Sequence, residues 1–314
     1  MSEQPAEISL ELGRLLGVDQ LVLVEASYVA QKQLDLTLEY LSSIKSADIE
    51  AVIRVYDERQ ELMGIAIRDR ELGFWMIFTD FLADSVERAE FERLANKLQQ
   101  GARERTVHLT RQQFREGVME YYALGLVNRL FCECAVSEER FYPRDRVEIL
   151  KHVIQAFLAE QGIEAGAQLH TLEIGCGNGG ATIALHELGI SPIAVDINRC
   201  ELCKGLEERV LDPKRSVVMD CSQLSAFFSR EFEVVFGFMV GKLTPFERFT
   251  WEKVLREVPK VLTGRGAVLL TVSSEEEARI LEELLTETFE AVVRENSESR
   301  GYFDQWIYQG RIKR

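Results

Sequence analysis

Glu173, Gly175, Gly177, Gly179 and Gly180 stand together in Leu172-Glu173-Ile174-Gly175-Cys176-Gly177-Asn178-Gly179-Gly180. An apolar run ends there in a glycine turn and enters Ala181-Thr182-Ile183-Ala184-Leu185-His186, which has helical character. Glycines at a strand-to-helix turn let the backbone approach a ligand, because no Cβ stands in the way. Amides at the start of the helix favour a negatively charged or polar group. The chemistry expected is binding of a nucleotide-like cofactor. Gly175, Gly177 and Gly180 also satisfy the G-x-G-x-x-G dinucleotide spacing. Asp196 closes the next apolar run, Pro192-Ile193-Ala194-Val195-Asp196. A carboxylate there can accept from both hydroxyls of a ribose. That role is common to dehydrogenases and other nucleotide-cofactor enzymes, so Asp196 does not choose between them.

Glu173, two residues before the first glycine, points away from a dinucleotide. Leu172 to Gly179 resembles motif I of the class I S-adenosylmethionine (SAM) methyltransferases, E-x-G-x-G-x-G. The resemblance implies that Glu173 supports the loop and the cofactor's amino-acid end. It implies that Gly175, Gly177 and Gly179, with the small Cys176, clear the cofactor's path. It further implies Asp196 at the ribose, Ile197 against the adenine, Asp220 facing the adenine amino group with Cys221 beside it, and Phe238 flanking the cofactor. It covers roughly Asp145 to the C-terminus.

The elements that must position these residues follow from periodicity. Thr171 to Ile174, Pro192 to Asp196, Ser216 to Cys221 and Phe232 to Phe238 read as buried strands, and Asp145 to Leu158 resembles the helix that precedes motif I in many methyltransferases. Gly266 to Val272 reads as a strand, Glu275 to Leu285 as a helix, and Phe289 to Arg294 and Phe303 to Ile312 as two further strands. Asn296-Ser297-Glu298-Ser299-Arg300-Gly301 is too short for a parallel crossover, so the last two strands pair antiparallel. The expected fold is α/β: a Rossmann-like, mostly parallel sheet with an antiparallel last strand over residues 137–314. A dehydrogenase would need more chain for a catalytic domain.

Residues 1–136 read as a separate α+β accessory domain, serving substrate or oligomer contacts. Ile8 to Leu16 and Ser27 to Leu41 have helical spacing. Ile49 to Tyr56, Leu62 to Ile67 and Phe74 to Phe78 form an antiparallel meander with Phe74, Trp75 and Phe78 as buried aromatics. Val86 to Gln99 is a helix, and Thr110-Arg111-Gln112-Gln113 is a capping box that opens another. Ser137 to Arg144 is the connector.

Substrate candidates are Tyr121, Tyr142 and Arg144, on the approach to motif I, and Met239 in the lip Phe238-Met239-Val240-Gly241-Lys242-Leu243-Thr244-Pro245. The lip lacks the Asn/Asp-Pro-Pro-Tyr/Phe box that marks amino methylation of bases or glutamine. Of the four histidines, only His152 falls where it would approach the cleft. Cys132, Cys134, Cys200 and Cys203 raise a zinc site, but their spacing is no contiguous ribbon or knuckle, and small buried helical residues explain them more simply. No metal is expected, and the six cysteines are expected as reduced thiols.

The 314 residues suffice for two domains with cores of their own. A formal net charge of −15 makes nucleic acid a poor default partner. The polar start Met1 to Glu7 resembles no signal peptide and no apolar run spans a bilayer, so a cytoplasmic protein is expected. The combined reading is a SAM-dependent methyltransferase acting on a small metabolite or cofactor precursor. Methylation of a protein side chain is the alternative, as is a SAM-binding regulatory or assembly protein without turnover.

Overall fold

The computed structural model describes residues 11–25, 28–29, 32–98, 103–133 and 142–313. The chain divides into two compact units, Met1–Gly125 and Leu126–Arg314. The expected connector over Ser137 to Arg144 lies mostly outside the described residues.

The first unit runs α1 (Glu11–Leu16), β1 (Leu21–Leu23), α2 (Lys32–Ser43), β2 (Ile49–Tyr56), β3 (Leu62–Asp69), β4 (Trp75–Thr79), α3 (Ser85–Lys97), β5 (Arg103–His108) and α4 (Arg111–Val127). The meander forms as β2-β3-β4, antiparallel throughout. Its first turn is held by Asp57, whose Oδ1 accepts from the Arg59 and Glu61 amides, with Gln60 left-handed at φ +65°. The sheet is wider than its sequence suggested. β1 adds parallel to β4 and β5 parallel to β2, giving the order β1-β4-β3-β2-β5. Both were missed because β1 has three residues and β5 is almost all polar and exposed. One core packs Ile49, Ile65, Ile67 and Phe78 against Phe91 and Leu94 of α3. Phe74 and Trp75 are only half-buried, unlike Phe78. Thr110 does open α4: its Oγ1 accepts the Gln113 amide and the Gln113 side chain accepts the Thr110 amide.

The second unit runs α5 (Arg144–Gln161), β6 (Thr171–Ile174), α6 (Thr182–Glu187), β7 (Ile193–Asp196), α7 (Arg199–Glu207), β8 (Ser216–Val218), α8 (Leu224–Phe227), β9 (Phe232–Gly237), α9 (Arg248–Val261), β10 (Leu262–Val272), α10 (Glu275–Leu285), β11 (Phe289–Glu295) and β12 (Trp306–Ile312). The seven strands lie in the order β11-β12-β10-β9-β6-β7-β8. β12 is antiparallel to both its neighbours; β6, β7, β8, β9 and β10 pair parallel. The sheet is the Rossmann-like one expected, with β12 as its antiparallel last strand. The chain lays down β6, β7 and β8 outward, then crosses back to put β9 on the other side of β6. Ligands of open α/β sheets bind where the order reverses, beyond the carboxyl ends of the strands. The segments that follow β6 and β9 therefore flank one crevice.

Candidate functional site

The loop after β6 is held from beneath by β7. The amides of Gly175 and Cys176 both donate to the Val195 carbonyl, at 2.8 and 3.1 Å. The Gly177 amide donates to Oδ2 of Asp196 at 2.7 Å, and that of Gly179 to the Cys176 carbonyl at 2.9 Å. These four amides thus have partners inside the protein, and α6, with six residues, starts only at Thr182. The loop differs here from the anion-binding turn expected: it does not aim this row of N–H groups at a pyrophosphate. It offers room instead. Gly175 and Gly177 are left-handed, at φ +67° and +56°, and a Cβ on either would meet nothing within 4 Å. Gly179 serves packing: its Cβ would come within 2.6 Å of Val210.

Asp196 is 9% exposed. Its Oδ1 accepts the Asn198 amide at 2.6 Å while Oδ2 takes Gly177. The carboxylate has about four acceptor sites and faces the amides of Asn198, Gly177 and Ile197, so acceptor capacity remains for a ligand hydroxyl. Burial raises its pKa, against the lowering effect of the Asn198 and Gly177 amides. Ile197, next in the chain, is 57% exposed, an apolar surface where an adenine is expected. Asp220 uses Oδ1 to cap the turn that follows β8, accepting from the Ser222 amide at 2.8 Å. The Cys221 thiol meets the backbone of Gly175, and burial pushes it up to about 12. Cys176 is buried where Cys221 is half-buried, and its thiol is pushed well above the ordinary value by burial, then by the charges of Glu173 and Asp196. Both cysteines are held as neutral thiols.

Glu173 is buried under the loop. Its Oε2 accepts from Thr182 Oγ1 at 2.7 Å, and desolvation pushes its pKa up to about 7. Thr182 and the nearby positive charge of Arg146 oppose that shift. Tyr142 reaches the outer end of the loop, where its hydroxyl donates to the Asn178 carbonyl at 3.1 Å. A Cβ on Gly180 would lie 3.6 Å from the Tyr142 ring and 3.7 Å from the Arg146 guanidinium.

The lip after β9 turns sharply. A Cβ on Gly237 would lie 2.5 Å from Val240 Cγ1, and Met239 is left-handed at φ +55°. A non-glycine residue there costs about 1–2 kcal/mol, so something must hold it. The Met239 amide donates to Thr271 Oγ1 at 2.9 Å, and that hydroxyl donates to Asp304 Oδ1 at 2.6 Å. Arg146 braces the same carboxylate with Nε at 2.7 Å and Nη2 at 3.2 Å. Asn296 donates to the Asp304 carbonyl at 2.8 Å. One buried network thus ties the lip to β10, to α5 and to the segment that enters β12.

Other expected site residues lie elsewhere. Phe238 is buried, stacked on Phe236 with ring centroids 5.8 Å apart, and belongs to the core with Leu150, Phe157 and Leu269. Its ring packs; the lip's variable face starts at the half-buried Met239. Arg144 points along the surface to Glu187 and Glu148. Tyr121 belongs to the first unit, edge-on to Tyr122 at 6.1 Å. His152 lies 3.5 Å from Glu298, in the pocket formed with residues 294–298.

The expectation of six reduced thiols needs correction. Cys132 is disulfide-bonded, while Cys176, Cys200, Cys203 and Cys221 are free; Cys134 lies outside the described residues. Among the described residues no group of three or more His, Cys, Asp or Glu is placed to hold a metal ion.

Sequence reasoning missed Arg146, Thr271 and Asp304, and it missed Gly205 on α7. A Cβ on Gly205 would lie 2.6 Å from the Asn178 carbonyl. Only Gly205 had a readable signal, a glycine within a helical pattern.

Residues 172–270 match the family described as methyltransferase domain. A comparison with curated proteins finds no match. Among solved structures, a SAM-dependent methyltransferase from Clostridium acetobutylicum ATCC 824 is 12% identical, with 56% of this chain and 94% of that one covered and a TM-score of 0.43. Magnesium protoporphyrin IX methyltransferase from Synechocystis PCC 6803, with bound SAM, is 15% identical, covering 65% and 98%, at 0.41. Protein PH0226 of Pyrococcus horikoshii OT3 is 19% identical, covering 54% and 91%, at 0.42. The matched family spans β6 to β10, with the glycine loop at one end and the lip within it, and the strands it covers carry a methyltransferase domain.

Proposed function

We propose that this methyltransferase acts on a small metabolite or cofactor precursor. The observation that carries the reading is the crevice itself: an open glycine loop on one side and, across the β6–β9 pair, a lip whose half-buried Met239 is held by a buried network. When bound, SAM supplies a methyl group already activated on a sulfonium. The protein's work is to hold donor and acceptor in line. In this reading Asp196 holds the ribose hydroxyls, Ile197 and Asp220 meet the adenine, and Glu173 supports the loop through Thr182. Met239 and Tyr142 border the acceptor, and the apolar lip favours a partly apolar molecule. The net charge of −15 disfavours nucleic acid. No helix among the described residues is long and apolar enough to cross a membrane, and the assignment includes a cytoplasmic location. The first unit serves substrate or oligomer contacts.

A protein side chain is the second reading. Phe246 is 97% exposed and Phe249 68% exposed, just past the lip, and exposed aromatics suit a protein partner.

The test is transfer from methyl-tritiated SAM into a fractionated cell extract. Label in the small-molecule fraction is the expected result. Label in protein supports the second reading. SAM binding with no label in either fraction rejects both in favour of a binding protein without turnover.

A further inference from the structure

Four side chains line up across the sheet of the first unit. The register sets Trp75 opposite Arg68, Arg68 opposite Ala51 and Ala51 opposite Arg103. Residues directly opposite one another share a face, and so do residues two apart along a strand. Ile53 and Arg105, paired one step further on, therefore belong to the same face. These six residues line a cavity of about 550 Å³, within the range of small-molecule sites. Ala51 contributes only a methyl group. The backbones of the flanking Arg68 and Arg103 stand two strand spacings apart, about 10 Å, which leaves a gap over the Ala51 methyl group, and Glu50 bridges the two guanidiniums.

The charges are unbalanced. Arg68 lies 3.3 Å from Glu50, and Arg103 pairs with the same carboxylate. Arg105 donates to the Leu16 carbonyl, which carries no net charge. Glu104 pairs with Arg54. Asp19 stands at the rim. Three guanidiniums, each with five donors, thus belong to the lining beside the carboxylates of Asp19 and Glu104; Glu50 bridges Arg68 and Arg103, and Arg105 meets only a carbonyl. Glycine is required for part of this arrangement: Gly17 is left-handed at φ +60°, and a Cβ there would lie 3.2 Å from the Arg105 guanidinium. Trp75 supplies a half-buried indole as one wall.

We propose that this cavity binds a flat organic oxyanion, an aromatic or heteroaromatic molecule bearing a carboxylate or phosphate group. The guanidiniums would take the oxyanion in planar, bidentate fashion, with the ring against Trp75. The site is separate from the glycine loop and its carboxylates, all of which belong to the second unit.

The experiment is calorimetry on the full chain with benzoate and with phenyl phosphate, the two probes telling carboxylate from phosphate recognition. One saturable site for at least one probe is expected, with a shift of the indole N–H signal assigned by Trp75→Phe. Arg103→Gln, at a side chain 79% exposed, removes a donor without touching the core. Ala51→Leu fills the gap and leaves every charge in place. Each should weaken binding about tenfold, as expected for loss of a charge-assisted contact or of the space itself, while SAM affinity stays as it was. Absence of saturable binding for both probes, or unchanged affinity in both variants, overturns the proposal and leaves the methyltransferase assignment untouched.

Discussion

Asp196 reaches from the end of β7 to the Gly177 amide, 2.7 Å away. The carboxylate expected to recognise a ribose is therefore also the strut of the loop beside it. Loop and ribose contact are one mechanical unit, which makes Asp196 the most consequential side chain of the crevice.

Asp196→Ala should weaken SAM binding by about 1.5–3 kcal/mol, the value of hydrogen bonds to a charged group, with the fold retained. Burial holds its pKa above the usual carboxylate value. Wild-type affinity should accordingly fall as acidification protonates Asp196, and the variant should lose that dependence. Calorimetry across pH decides it; a dissociation constant unmoved by the substitution ends the ribose role.

NAD should not bind. The amides of Gly175, Cys176, Gly177 and Gly179 have internal partners, so the loop lacks the donor row that a pyrophosphate needs. A calorimetric titration with NAD should be flat where SAM and S-adenosylhomocysteine give heat. NAD binding without a response to SAM would contradict the assignment.

Gly175→Ala and Gly179→Ala should fail in different ways. Both place a side chain at positive φ, costing about 1–2 kcal/mol. At Gly175 the methyl group enters open space where the cofactor belongs, so SAM binding should be lost from a folded protein. At Gly179 it meets Val210 and Leu211, adding about 1–3 kcal/mol of overpacking. Thermal melts and SAM titrations on both variants test this. Equal behaviour in the two assays would show that the glycines are interchangeable.

Glu173→Gln should stabilise the protein at alkaline pH. Burial raises the folded-state pKa to about 7, from the ordinary 4.5. The native state therefore binds the extra proton between those values. The stability this contributes is complete below the unfolded pKa and is lost as pH rises through about 7. Glutamine does not titrate and can still accept from Thr182. The variant's unfolding free energy relative to wild type should thus rise between about pH 5 and about pH 8, by an amount on the order of 3 kcal/mol, and its relative melting temperature should rise with it. A pH-independent difference would mean that Glu173 ionises normally in the fold.

Thr271→Val should separate binding from turnover. The substitution keeps the shape but removes the acceptor for the Met239 amide and the donor to Asp304. About 1–3 kcal/mol of stability should go with the orphaned groups. Methyl transfer should slow as the lip loses its fixed turn, with SAM affinity near wild type. Unchanged kcat in a folded variant would show that the lip's geometry does not matter to the reaction.

Much of the second unit was legible because its strands are buried on both faces and read as continuous apolar runs. Glu275 to Leu285 followed from its helical spacing; the capping box of Ser274 with Glu277 that bounds it emerged only in the structure. The antiparallel end followed from the length of one loop. The network behind the lip was not legible: Arg146, Thr271 and Asp304 are far apart in the chain and meet only through the sheet order. Phe238 illustrates the opposite error. Its place after β9 suggested a ligand contact, yet the side chain faces the core. In the first unit, β5 was invisible because Arg103 to His108 lacks the apolar alternation that marks a strand.

β12 lies between β10 and β11, although β11 precedes it in the chain. During synthesis β11 emerges with no strand to join, and the sheet stays open at that side. Only when the segment from Asp304 through Ile312 has left the ribosome can β12 join β11 to the sheet and Asp304 brace the Thr271 hydroxyl that holds Met239. The crevice is thus completed late, by residues distant from it in sequence. Until then the edges of β10 and β11 stand unpaired, the form in which nascent chains are prone to aggregate.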